Sequence, residues 1–223
     1  MMQINGVHIS TYRAKLEDGY SIAAMPVSNT VQRGRNRTSF ILASQAVDMK
    51  AINFSLFFEC ESARELMMCK SQLDGACTGT VELFMPDGFF YRSVLHSAGA
   101  LELVGQVCGR ADYAFKGIQH DALKTVKYTG TGILIHGSAP TMDARLTVTV
   151  RTAGTEYQLA GAVFDSVEEG DVLCFDGLNN VITKNGINAA DECTFLSFPK
   201  LTPGINTIDC RDTVTVEYFP VYM

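Results

Sequence analysis

The chain has 223 residues, 47% of them hydrophobic and 19% charged, a balance that folds and excludes a disordered or collagen-like chain. Eighteen Lys and Arg face 24 Asp and Glu, giving a formal charge of −6. That is a poor start for nucleic-acid binding, which draws its affinity from cations on phosphates. No stretch approaches the roughly 18 apolar residues of a membrane span. The opening Met1-Met2-Gln3-Ile4-Asn5-Gly6 has no basic region followed by an apolar one, so a soluble globular protein without a signal peptide or membrane partner is expected.

The charge is unevenly placed. Up to Lys124, 12 basic residues balance 12 acidic ones, whereas from Thr125 onward 6 face 12. A step of that size suggests two units with different surfaces.

Early in the chain, Gln32-Arg33-Gly34-Arg35-Asn36-Arg37 gathers three arginines. Without interleaved aromatics it is a weak nucleic-acid arm, and guanidinium forks suit carboxylates on a protein partner equally well. Arg33, Gly34, Arg35, Asn36 and Arg37 therefore stand as a candidate interface loop or a solvated one.

From Ala51 to Glu59 the residues alternate, with Ile52, Phe54, Leu56 and Phe58 on one face of an expected strand. Ser62-Ala63-Arg64-Glu65 then has the spacing of a capping box. Ala63, Leu66, Met67 and Leu73 recur at helical spacing, with Lys70 at the edge and Gly75 placed to stop the helix, so one helix is expected over about 62–74. Met67, Met68 and Cys69 read as core packing. Thr80 to Met85 and Phe89 to Leu95 flank Pro86-Asp87-Gly88 as a hairpin, and Ala100 to Val107 and Ala111 to Ile118 form a further pair around Cys108-Gly109-Arg110.

Near residue 125 the texture changes to short Thr- and Val-rich strands, with turns at Gly130, Gly132, Gly137 and Pro140. Arg145 to Val150 alternates cleanly, and Glu156 to Leu159 is expected to pair with it across Gly154. Val172 to Asp176, Val181 to Lys184, Asn206 to Cys210 and Thr213 to Tyr218 follow at sandwich-like intervals. Asn179-Asn180 and Asn185-Gly186 are turn pairs. The expected fold class is mainly β with one helix. It divides into a barrel- or sandwich-like domain over 1–125 and a β-sandwich over 126–223, with no helix needed after Gly75.

Chemistry-bearing patterns are sparse. The chain has no G-x-S-x-G elbow, H-E-x-x-H helix or Walker loop, and Gly130-Thr131-Gly132 is a turn. His8, His96, His120 and His136 are scattered. Glu168-Glu169 precedes Gly170-Asp171 in a turn, a poor geometry for paired acids. The seven cysteines include no C-x-x-C pair and fit no zinc spacing, so they read as structural thiols. No catalytic residue, metal ligand or cofactor is expected, and the chain does not read as an enzyme. A carbohydrate-binding module with an accessory domain is the alternative, its candidate stacking rings being Tyr128, Tyr157, Tyr218 and Tyr222, since the chain has no Trp.

The last fifty residues are more specific. They run from Gly170-Asp171-Val172 through Lys184-Asn185-Gly186-Ile187 and Leu201-Thr202-Pro203-Gly204-Ile205-Asn206 to Val214-Thr215-Val216-Glu217-Tyr218-Phe219-Pro220-Val221-Tyr222. This succession resembles the C-terminal domain of the phage distal tail protein family, the baseplate hubs of long-tailed phages and prophages. Asn185, Gly186, Pro203, Gly204, Tyr218 and Pro220 are its fold-motif residues. The opening Ile4-Asn5-Gly6-Val7-His8-Ile9 resembles the family's start, whereas Arg33 to Arg37 departs from its usual loop.

The resemblance implies structural work in a virion tail assembled in the bacterial cytoplasm. Family members form a hexameric ring through their N-terminal domains, joining the tail tube protein to the tail-tip protein and leaving a channel through which DNA passes without specific binding. A galectin-like or jelly-roll C-terminal sandwich would project outward and dock a receptor-binding protein.

Overall fold

Alternation along the first half of the chain produces a large antiparallel sheet and a separate two-stranded one, β5 with β6. A computed structural model describes residues 1–33 and 41–223, which divide into two units, Met1–His120 and Asp121–Tyr222. In the first, the strands are β1 (Gln3–Ile4), β2 (Val7–His8), β3 (Ala14–Leu16), β4 (Ser21–Ile22), β5 (Val27–Gln32), β6 (Ile41–Val47) and β7 (Lys50–Glu59). After the helix α1 (Ala63–Ala76) come β8 (Thr80–Phe84), β9 (Phe90–Ala98), β10 (Glu102–Leu103) and β11 (Cys108–His120). The sheet order is β2-β1-β8-β9-β11-β7-β3, with β10 on β11 and β4 on β7.

The two long strands, β7 and β11, pair in register from Cys108 opposite Glu59 to Gly117 opposite Lys50. Ile52, Phe54, Leu56 and Phe58 face inward as their alternation predicts, meeting Ala111, Tyr113 and Phe115. Phe54 stacks on both neighbouring rings, with centroids 5.7 Å from Tyr113 and 5.6 Å from Phe115. β11 begins at Cys108, so Cys108-Gly109-Arg110 is strand rather than turn. The chain reverses before it, where the Val104 and Gly105 amides both donate to the Cys108 carbonyl.

The helix starts where the capping box places it. Ser62 accepts from the Glu65 amide at 3.1 Å, and Glu65 reaches back to the Glu61 amide at 2.8 Å. It continues past Gly75 to Ala76, and the Thr78 amide and hydroxyl cap the Gly75 carbonyl. Its inward face is Leu66, Cys69, Lys70 and Leu73. Met67 and Met68 are 61% and 52% exposed, against the core packing expected of them. At about 100° per residue, a stripe through Leu66, Cys69 and Leu73 turns both methionines outward. Lys70 buries its stem instead, with its ammonium held by Asp74 at 2.6 Å.

The second unit contains β12 (Lys124–Tyr128), β13 (Ile133–Ile135), β14 (Met142–Thr149), β15 (Gly154–Leu159), β16 (Ala162–Val167), β17 (Val172–Asp176), β18 (Val181–Lys184) and β19 (Ile187–Asn188). A 3-10 turn at Ala190–Glu192 follows, the one helical feature described after α1. Next come β20 (Cys193–Thr194), β21 (Lys200–Leu201), β22 (Gly204–Asn206) and β23 (Val214–Tyr218). One sheet runs β12-β23-β14-β17-β18-β19, a second runs β15-β16-β20, and β13 pairs β22.

Leu146, Val148, Leu173, Phe175, Val214, Val216 and Tyr218 from the larger sheet share one core with Tyr157, Leu159 and Phe164 from the smaller. This is the two-layer arrangement of a sandwich. β14 lies between β17 and β23, so Glu156 to Leu159 does not pair with it. Ala160 and Gly161, at φ 52° and 85°, turn the chain straight back, and β15 pairs β16. Alanine is rare at positive φ, so this turn lacks the Asn-Gly or Asp-Gly pair that marks such a hairpin. Asn206 ends β22, so a strand from it to Cys210 does not form.

Candidate interaction surfaces

The β5–β6 hairpin is exposed along both strands and on both faces. Its register runs from Val27 opposite Val47 to Gln32 opposite Ile41, with an irregularity at Thr30/Val31. Apolar residues lie open on it, Ile41 at 66% exposure being the most extreme. A two-stranded ribbon with no covered face has little to hold it in water. Arg33 follows β5 and is exposed. Gly34, Arg35, Asn36 and Arg37 lie outside the described residues.

A shallow polar groove of about 400 Å³ crosses the first unit, lined in part by Ser21, Asn53, Ser55, Arg110 and Asp112. Ser55 donates to Asp112 at 2.5 Å and accepts from Arg110 at 3.1 Å, while Arg110 Nε meets Glu17 at 2.9 Å. This is a closed set of charge-assisted hydrogen bonds with no imidazole in it. The four histidines are apart in the fold. His8 caps the turn at Ser10, His96 is the extra residue where β9 slips against β11, and His120 stacks on Phe90. The His136 amide donates to the Tyr218 hydroxyl at 3.1 Å.

The C-terminal motif residues act as turn and closure devices. Asn185 and Gly186, at φ 54° and 79°, join β18 to β19. The Asn185 carboxamide also accepts from the Val172 amide and donates to Asp171, both at 2.8 Å. Asp171 in turn accepts from the Glu168 amide, and that backbone bond, with Asn185, holds its carboxyl below the ordinary range. The turn at Pro203-Gly204 is stapled by Asn206, whose side chain accepts from the Thr202 amide at 3.0 Å and donates to its carbonyl at 2.6 Å. Tyr218 is wholly buried, and the Pro220 carbonyl accepts from the Asp121 amide. Tyr128 and Tyr157 are buried too, so three of the four rings offered as sugar platforms present no face to a ligand.

Among the described residues, one group has metal-ligand chemistry. Cys60 after β7 and Glu65 and Cys69 on α1 bring their ligand atoms within 4.8 Å of one another. Both thiols are buried. Burial, then the neighbouring Cys69, pushes the Cys60 thiol up to about 11. Sequence spacing did not mark this trio, because its members come from a strand end and two turns of a helix.

Among solved structures, the chain is similar to the Dit protein of phage SPP1, described as a paradigm of hub adsorption apparatus in phages infecting Gram-positive hosts. The TM-score is 0.78 at 9% identity, over 100% of this chain and 98% of that one. The chain has the fold of a phage distal tail hub. Chains of the phage p2 baseplate in its activated conformation, with Ca and with Sr, give TM-scores of 0.50 and 0.51 at 10% and 11% identity. They cover 95% of this chain in both cases and 92% and 91% of the baseplate chains. No family model matches the sequence, and no curated protein does. At this identity the Dit likeness is one of fold.

Proposed function

We propose that this chain is a structural hub of a phage or prophage tail. It closes a hexameric ring that joins the tail tube protein to the tail-tip protein and anchors receptor-binding components. The observation that carries this reading is the end-to-end fold likeness to the SPP1 hub, with 100% of one chain aligned to 98% of the other. In this reading the Met1–His120 unit makes the ring. The exposed β5–β6 hairpin supports that, because apolar residues on an uncovered ribbon gain free energy when a neighbouring copy covers them. The more acidic second unit faces outward toward receptor-binding partners. DNA passes the channel without specific binding, and the chain performs no catalysis. Its place is the virion tail, after synthesis in the host cytoplasm. Among the described residues, no helix is long and apolar enough to cross a membrane.

The test is electron microscopy and light scattering of the purified chain, alone and mixed with tail-tube and tail-tip proteins from the same gene cluster. Six-fold rings in either sample are expected. A chain that stays monomeric in both samples overturns the reading.

A further inference from the structure

The Cys60–Glu65–Cys69 cluster lies where the end of β7 meets α1. Two of its side chains are more than nine-tenths buried, and both are thiols. Glu65 and Cys69 stand four residues apart, so they share one face of α1, and Cys60 approaches that face from the end of β7. The Glu65 carboxylate is already oriented. It accepts from the Glu61 amide at 2.8 Å, and its other oxygen lies 3.3 Å from Arg13 Nε. Outer contacts of this kind fix a ligating carboxylate and tune its basicity.

We infer that Cys60, Cys69 and Glu65 bind a borderline-soft divalent cation of the zinc class, with a water completing the tetrahedron. Two sulfurs and one carboxylate oxygen suit zinc and exclude calcium and magnesium, which take oxygen ligands. The charge also closes. Two thiolates and a carboxylate carry three negative charges, which a divalent cation and the Arg13 guanidinium balance. Without such balance, buried anions of this density are costly. Binding releases the two thiol protons to solvent, and no electron is transferred. The ion would tie the end of β7 to the first two turns of α1.

The 223-residue chain, kept reduced with a phosphine, is titrated with Co²⁺ as the spectroscopic probe. One cobalt per chain is expected, with thiolate charge-transfer and tetrahedral d–d bands that Zn²⁺ bleaches. The bands should vanish in Cys60→Ser and in Cys69→Ser and persist in Cys108→Ser, whose thiol is outside the cluster. Glu65→Gln keeps an acceptor for the Glu61 amide and should bind cobalt about tenfold or more weakly. Each variant is checked for a native far-UV circular dichroism spectrum, and the wild-type titration decides the question even where a variant does not fold. A folded, reduced wild type that shows no thiolate bands overturns the inference, as do bands unchanged in a folded Cys60→Ser/Cys69→Ser double variant.

Discussion

Arg145 on β14 donates from Nε to the Asp176 carboxylate on β17 at 2.7 Å, across a directly opposed register pair. The same guanidinium reaches Glu217 on β23 at 3.4 Å, so one side chain spans three adjacent strands. Asp176 is buried, which opposes ionisation, but hydrogen bonds from Asn179 and Arg145 outweigh that and hold its carboxyl below the ordinary value of 3.8. Asp176→Asn should cost about 2 kcal/mol in urea unfolding, the scale of hydrogen bonds to a charged group.

The acid response follows from the same pair. A carboxyl whose pKa is lower folded than unfolded adds stability in full above the unfolded value and loses it as pH falls through the folded one. The thermal midpoint of the wild type should therefore drop more steeply below about pH 4 than that of Asp176→Asn. Equal slopes would show that the pairing adds nothing to acid stability.

On α1, the inward stripe makes neighbouring residues unequal. Leu66→Ala should cost about 2–5 kcal/mol, as buried leucine truncations do. Met67→Ala, with its side chain in solvent, should stay within about 0.5 kcal/mol. Equilibrium denaturation of the two variants distinguishes this helix face from one with Met67 inward.

Gly186 sits at φ 79°, and its alanine variant should lose about 1–2 kcal/mol from strain alone. Asn185→Ala removes the bonds to Val172 and Asp171 together, so its loss should be at least as large. If Gly186→Ala melts like the wild type, the left-handed turn is not formed in solution.

The hairpin can be tested apart from folding. Val31→Asp with Ile41→Asp places charge where both strands already face water. The monomer's thermal midpoint should be unchanged, while ring assembly, read by light scattering, should be lost. Rings that persist with both charges in place would put the ring contact elsewhere.

Much of this architecture is legible in the chain itself. Alternation from Ile52 to Phe58 names the buried face of β7, Ser62 and Glu65 mark the start of the helix, and Asn185-Gly186 marks a hairpin. Those signals are local: a period of two, a cap, a residue tolerant of positive φ. The partner of Glu156 to Leu159 was not legible, because Ala160-Gly161 makes its turn with a residue that seldom adopts that geometry.

The sequence by itself determined which segments extend, where most of them turn and which side of each is apolar, since a few neighbouring residues dictate each of these. Only the tertiary structure decided that β14 lies between β17 and β23, that Met67 and Met68 face water, and that Cys60, Glu65 and Cys69 converge. Such outcomes depend on which distant surfaces meet, and a pairing between a strand end and a helix face leaves no periodic trace along the chain.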